Sequence, residues 1–230
     1  MTEHVLRPPT GTLLKETRVV TDALSLVLAA PWALALPRGS GQTVMVLPGY
    51  MTSDRATVLL RGFLRALGHR AVGWGLGTNR GNVEGLLEPV SERVASLAEE
   101  AGSPIALVGW SLGGVLAREA ARDLPALVSR VITLGTPVVG GPRYTIAAGA
   151  FAKHQAEIDA QIEERGQRPI EVPITSVYTE TDGVVAWRAC IDELSPDVEH
   201  LRVPGSHLGL GINPRVWSIV ARRLADDPSD

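Results

Sequence analysis

The chain has little cysteine, few aromatic residues and no excess of charge of either sign. Cys190 is the one cysteine among 230 residues, which excludes an internal disulfide framework. The 22 basic and 25 acidic side chains give a formal charge of -3. Because no block of like charge stands out, nothing in the composition attracts nucleic acid. No histidine pair lies one helical turn apart, so we expect no metal and no cofactor.

The chain also lacks a long uninterrupted apolar run. The most apolar segment, residues 19–36, contains Asp22 and Pro31, so it predicts no membrane span. The first residues carry Glu3 and lack the basic-then-apolar order of a secretory signal, which favours a cytoplasmic protein. Apolar residues at helical spacing over residues 15–30 leave two interpretations. One is a helix packed on the core; the other is a surface over residues 19–36 that docks peripherally on a membrane or on a second copy of the chain.

Buried strands alternate with amphipathic helices along most of the sequence. A chain of this length can bury one core, so we expect a single domain over residues 1–230, with residues 1–42 as a helical extension. The alternation predicts a three-layer α/β/α sandwich with a mostly parallel sheet of about six strands. A glycine-rich and polar insert over residues 138–173 follows the fourth strand and has the position of a short cap or lid. The predicted strands are residues 43–47, 71–74, 105–109, 131–134, 174–178 and 198–203.

A serine between glycines follows the third predicted strand. Residues 105–109 are apolar, and Gly109-Trp-Ser111-Leu-Gly113 then leads into a helix. Flanking glycines at such a turn allow a sharp strand-to-helix change that leaves the serine hydroxyl exposed at its apex. The pattern alone is weak, but its position between a strand and a helix makes Ser111 a candidate nucleophile.

A serine nucleophile needs a base and an acid that orients the base. Of the five histidines, His207 lies after the last predicted strand, at the sheet edge where Ser111 is expected. Asp182 precedes a glycine after the fifth predicted strand and is our candidate acid, with Glu180 as the alternative. The chain order of serine, acid and histidine is that of α/β-hydrolases.

An oxyanion intermediate requires two hydrogen-bond donors, and the backbone offers candidates. Leu112 N–H lies at the start of the helix after Ser111, where amides lack partners. The second donor is expected in the loop after the first strand, from Tyr50 or, as second choice, Met51. These residues predict a triad of Ser111, Asp182 and His207 with an oxyanion hole at Tyr50 and Leu112.

Taken together, these motifs resemble those of bacterial lipase- and esterase-type α/β-hydrolases, in the same order. Many relatives have histidine where this chain has Pro48. The resemblance implies a hydrolase of carboxylic esters that works through an acyl-enzyme on a small-molecule ester or acyl substrate. Two alternatives stay open: an acyltransferase or thioesterase with the same triad, and a noncatalytic binding module on a hydrolase fold. The matching elements are Pro48-Gly49-Tyr50, Gly109-Trp-Ser-Leu-Gly-Gly114, Leu134-Gly-Thr-Pro137, Thr181-Asp-Gly-Val-Val185 and Gly205-Ser-His207.

Large apolar side chains next to the predicted strand ends are candidates for a substrate pocket. Such residues line ligand sites, but they equally often form plain core. The candidates are Met51, Trp74, Trp110 and Trp187.

Overall fold

The computed structural model describes Pro8, Glu16, Thr17 and residues 35–225. The helix predicted over residues 15–30 and the docking surface predicted over residues 19–36 lie almost entirely outside these residues. Within the described part of the chain, no helix is long and apolar enough to cross a membrane.

Six parallel strands form one sheet in the order β2-β1-β3-β4-β5-β6. The predicted fold class is confirmed, and the predicted strands match with small shifts at their ends. The largest difference is at β4, which begins at residue 128 because Val128 pairs with Ile105 ahead of the more apolar stretch. The strands are β1 (Thr43–Leu47), β2 (Arg70–Gly73), β3 (Ile105–Trp110), β4 (Val128–Leu134), β5 (Ile174–Tyr178) and β6 (Val198–Arg202).

Helices cover both faces of the sheet. Successive residues of β1 point to opposite faces, with Met45 in one buried cluster and Val44 in the other. The first cluster packs under α2 and α3, and the second under α1 and α6, which gives the three layers. The six α-helices within the described residues are α1 (Val58–Ala66), α2 (Val83–Ala101), α3 (Leu112–Asp123), α4 (Ala148–Phe151), α5 (Gln155–Gly166) and α6 (Pro214–Ala225).

Local sequence signals set the ends of α2. The Asn82 side chain accepts a hydrogen bond from Gly85 N–H at 3.2 Å, as a helix N-cap does. Gly102 ends the helix in the left-handed conformation, with φ 64°. Both ends follow from short local patterns, because capping depends on neighbouring residues alone.

The insert after β4 carries two helices, α4 and α5. None of the α5 side chains is fully buried, and polar contacts hold the helix on the domain. Arg165 pairs with Glu119 and, at 2.6 Å, with Asp123, both on α3. Gln161 donates to Glu84 of α2 at 3.0 Å. The predicted helical insert is therefore present, and α5 lies against α2 and α3.

Candidate active site

Ser111 lies at the turn from β3 into α3 with an unusual backbone conformation. Its φ is 53° and its ψ is −123°, a region that L-residues avoid. Among the described residues, Met51 is the one other non-glycine residue with positive φ, at 57°. Backbone strain of this kind clusters at functional sites, and here both strained residues lie at carboxyl ends of strands.

Two glycines make the turn at Ser111 possible. A Cβ atom at Gly109 would overlap the backbone of Gly114, and one at Gly113 would overlap the carbonyl oxygens of Leu47 and Pro48. Strand β3, helix α3 and the loop after β1 therefore approach one another at backbone contact distance. The spacing of glycines in the sequence follows from this close approach.

The turn is also fixed by hydrogen bonds to the end of β4. Ser111 N–H donates to Leu134 O at 2.8 Å, and the Thr136 hydroxyl donates to Ser111 O at 3.0 Å. Both backbone polar groups of the serine are thus satisfied by neighbouring structure. Its side chain remains free to face the cavity described below.

Asp182 and His207 form a buried pair across the loops after β5 and β6. His207 Nδ1 and Asp182 Oδ2 lie 2.7 Å apart, and the two residues are 3% and 7% exposed. The other carboxylate oxygen accepts the N–H groups of Val184 at 2.8 Å and Val185 at 2.7 Å. The carboxylate is held in one orientation, so it fixes the imidazole ring and leaves Nε2 as the nitrogen available for chemistry.

The alternative acid, Glu180, lies outside this arrangement. Its carboxylate pairs with Arg202 at 2.9 Å, and both side chains are largely exposed. One residue, Thr181, separates it from Asp182, and the chain turns from the exposed Glu180 back into the protein at Asp182.

Ser111 and His207 line the same cavity, which has a volume of about 1320 Å³. The indole N–H of Trp110, next to Ser111, donates to His207 O at 3.2 Å. Gly135 lies against the imidazole of His207. A Cβ atom at Gly135 would lie 2.9 Å from His207 Nδ1, and the φ of 58° also favours glycine. The glycine in Leu134-Gly-Thr-Pro137 therefore leaves room for the imidazole.

The loop after β1 provides one candidate oxyanion donor. Met51 N–H donates to Asn79 O at 2.6 Å, so this group is already engaged. Tyr50 N–H has no acceptor within the part of the chain that the structure describes, and Tyr50 lines the cavity. Leu112 is the first residue of α3 and lines it too. Of the two candidates in this loop, the geometry favours Tyr50.

Asn79 is a residue whose part in the site the sequence does not reveal. It is fully buried, and its amide donates to Pro48 O at 3.0 Å. Its backbone accepts from Met51 and donates to Thr52 O at 2.8 Å. Asn79 thus holds the loop that carries Tyr50. The available signal is topological, since β1 and β2 are neighbours and the loops after them meet.

The pocket residues expected from sequence are only partly correct. Trp110 lines the cavity. Trp74 does not, because it is fully buried in the core under α2. Trp187 stacks on Tyr178 at 5.7 Å between ring centroids, and Met51 is 57% exposed; neither is among the described residues that line the cavity. Proximity to a strand end does not determine which way a side chain points.

The insert supplies much of the cavity wall. Phe151 contacts the Tyr50 ring with 5.3 Å between centroids, so the insert meets the loop after β1. The wall is mainly apolar, and it also includes the buried pair of Arg118 and Asp192, which lie 2.6 Å apart. Apolar lining residues from the insert include Val138, Val139, Ile146, Phe151, Ile158 and Ile162.

Asp192, a buried carboxylate in the cavity wall, has a strongly lowered pKa. Burial raises the pKa of Asp192, but the charge of Arg118 and hydrogen bonds from Leu194, Arg118 and Ser195 outweigh it and lower the pKa to about 2. The nearby Cys190 behaves oppositely, because burial and the charge of Asp182 raise the pKa of its thiol well above the usual value. Cys190 is therefore a packed thiol rather than a nucleophile.

Solved structures of lipolytic enzymes share this fold. A monoacylglycerol lipase of Paleococcus ferrophilus superposes with a TM-score of 0.62 at 14% identity, over 83% of this chain and 96% of the other. A metagenome-derived lipolytic enzyme of the LipS and LipT pair gives 0.60 at 18%, over 83% and 94%. The thioesterase domain of the curacin biosynthetic pathway gives 0.57 at 14%, over 83% and 93%.

These similarities establish the fold of the chain. It has the α/β-hydrolase fold of lipases and esterases, with the parallel sheet and covering helices described above. No protein-family model matches the sequence, and no curated protein does. The roles of individual residues rest on the geometry of the site.

Proposed function

We propose that the protein is a serine hydrolase that cleaves carboxylic esters through an acyl-enzyme. The observation that carries the proposal is the buried 2.7 Å contact between His207 Nδ1 and Asp182 in a cavity that His207 shares with Ser111. A histidine held in this way is equipped to take a proton from a serine hydroxyl. The strained backbone of Ser111 supports the same role.

In the acylation step, Ser111 Oγ attacks the ester carbonyl carbon while His207 Nε2 takes the hydroxyl proton. The carbonyl oxygen becomes an oxyanion, which the N–H groups of Tyr50 and Leu112 bind. Collapse of this intermediate breaks the bond to the alcohol, and the imidazolium gives its proton to the departing alkoxide. Asp182 stays ionised and stabilises the imidazolium.

In the deacylation step, water takes the place of the alcohol. His207 removes a proton from the water as its oxygen attacks the acyl carbon, and the same oxyanion site binds the second intermediate. The carboxylic acid leaves when Ser111 Oγ regains its proton from His207. The reaction needs no electron transfer, and every proton passes through one imidazole.

The cavity supports an acyl group with a substantial apolar part. Its volume of about 1320 Å³ exceeds what an acetyl group fills, and its wall is mainly apolar. The fold similarity to a thioesterase domain supports one rival with the same triad. Comparing p-nitrophenyl esters of two to sixteen carbons with acyl-CoA esters, each with and without an alcohol acceptor, separates ester hydrolysis, thioester hydrolysis and acyl transfer.

Labelling with a fluorophosphonate tests the mechanism. We expect the adduct at Ser111 by mass spectrometry, and a loss of about a million-fold in kcat for Ser111→Ala. Ser96→Ala, a change at an exposed serine of α2, is the matched control. Folded protein with neither an adduct at Ser111 nor any ester turnover would point to a noncatalytic binding module, and equal turnover by Ser111→Ala would exclude Ser111 as the nucleophile.

A further inference from the structure

Glu16 is buried between the two loops that carry Asp182 and His207. It is 7% exposed, although it lies far ahead of the sheet in the sequence. Its carboxylate accepts three backbone hydrogen bonds: from Gly183 at 2.9 Å, from His207 at 3.2 Å and from Leu208 at 2.8 Å. A buried carboxylate is tolerated when several donors compensate the loss of water, and three backbone amides do so here.

The three donors belong to two separate segments of the chain. Gly183 directly follows Asp182 in the loop after β5, whereas His207 and Leu208 lie in the loop after β6. One carboxylate therefore joins the residue next to the candidate acid to the candidate base itself. The loops are also joined at Gly205, whose carbonyl accepts the hydroxyls of Thr179 and Thr181. The link at Gly205 does not involve His207, whereas Glu16 accepts a hydrogen bond from the backbone N–H of His207.

We propose that Glu16 is a positioning residue that holds the Asp182 and His207 loops in register for proton transfer. The inference rests on the proposed function. All three hydrogen bonds go to backbone N–H groups, so Glu16 acts through the two loops rather than on the reacting atoms. Without the carboxylate the three backbone donors, two of them buried, lose this acceptor, and each such loss favours movement of the loop that carries it. Displacement of a catalytic group by about 1 Å can lower turnover by about 100-fold.

Amide exchange tests the connection without any substrate. In Glu16→Ala, we expect hydrogen exchange measured by NMR to become at least about tenfold faster at Gly183, His207 and Leu208. Glu199→Ala is the control, because Glu199 is a β6 carboxylate paired with Arg223 at the surface. Glu16→Gln keeps the shape and one acceptor oxygen, so we expect intermediate protection. This variant carries the test if Glu16→Ala does not fold.

Kinetics distinguish positioning from a purely structural role. The concentration of active sites is titrated with fluorophosphonate, so that unfolded protein does not count. We expect kcat per active site to fall by about 100-fold in Glu16→Ala and by less in Glu16→Gln, with KM changed by less than about twofold. The low-field imidazole Nδ1–H resonance of His207 should shift or broaden in both variants.

Two results would overturn the inference. One is wild-type kcat per active site in Glu16→Ala, and the other is unchanged protection of the three amides. Failure of the proposed function looks different, because wild-type protein would then hydrolyse no ester and carry no adduct at Ser111. The amide exchange and the His207 resonance would still report whether Glu16 holds the two loops.

Discussion

Two buried aspartates of this protein have nearly the same surroundings and different partners. Asp182 accepts the N–H groups of the second and third residues after it with one carboxylate oxygen and contacts His207 with the other. Asp192 does the same with Leu194 and Ser195, and its second oxygen contacts Arg118. The local turn therefore orients a carboxylate in both places without deciding its role.

The partner decides what each carboxylate can do. Arg118 keeps its charge at any accessible pH, so its pair with Asp192 is a fixed link between α3 and the loop after β5. A histidine can act as a general base, so the pair of His207 with Asp182 can take part in proton transfer. We therefore expect Asp182 to govern turnover and Asp192 to govern stability.

The largest expected effect is on turnover in Asp182→Asn. The amide keeps the shape of the carboxylate, but it no longer fixes the imidazole tautomer or stabilises the imidazolium. We expect kcat to fall by about 10⁴-fold, as measured with a p-nitrophenyl ester. A melting temperature close to that of wild type would show that the loss is chemical. Equal activity in the variant would remove Asp182 from the mechanism.

Asp192→Asn should lower stability and leave turnover largely unchanged, the opposite of Asp182→Asn. Arg118 would remain buried without its counter-charge, because both side chains are at most 7% exposed. We expect a loss of about 3–5 kcal/mol in the free energy of unfolding, measured by urea denaturation. The kcat per titrated active site should fall by less than about tenfold. The double variant Arg118→Met with Asp192→Leu should recover stability, since no buried charge is then left unpaired.

Acid should weaken the Asp192 pair in a defined pH range. The folded-state pKa of about 2 lies below the ordinary value of 3.8, so the unfolded chain binds a proton first as the pH falls. This stabilisation is complete above pH 3.8 and is lost between pH 3.8 and 2, and the shift corresponds to about 2 kcal/mol. Urea denaturation across this range should show a shallower pH dependence in the double variant.

His69 gives a second acid effect at higher pH, which serves as a reference. It is buried, and burial lowers the pKa of its imidazole below 6.5. The unfolded chain therefore binds this proton first, and stability starts to fall as the pH drops below 6.5. His69→Gln should remove this higher range and leave the lower one unchanged. Because the two pH ranges differ, the loss of stability due to Asp192 can be distinguished from the loss due to His69.

The smallest expected effect is that of Glu180→Gln. This carboxylate lies two positions before Asp182, but it pairs with Arg202 in solvent, where ion pairs stabilise by at most about 1 kcal/mol. We expect less than a twofold change in kcat in the same assay. A loss close to that of Asp182→Asn would mean that the two acids had been assigned the wrong way round.

The fold and the turn at Ser111 could be predicted from the sequence because local rules produce them. Apolar strands alternating with amphipathic helices fix the layers, and Gly109 and Gly113 mark the turn around Ser111. His207 and Asp182 follow from their positions after the last two strands. The pocket could not be predicted in this way. Trp74 directly follows β2 and Trp110 ends β3, but Trp74 is buried in the core under α2 and Trp110 lines the cavity.

The sequence by itself determined the order of strands and helices along the chain, the turn at Ser111 and the candidates for the triad. It could do so because periodicity, capping and glycine spacing act between near neighbours. Tertiary structure alone decided that Glu16 lies against Gly183, His207 and Leu208, and that Asn79 holds the loop of Tyr50. These contacts join segments that are distant in the chain. They depend on how the sheet brings its loops together, and no local pattern encodes that.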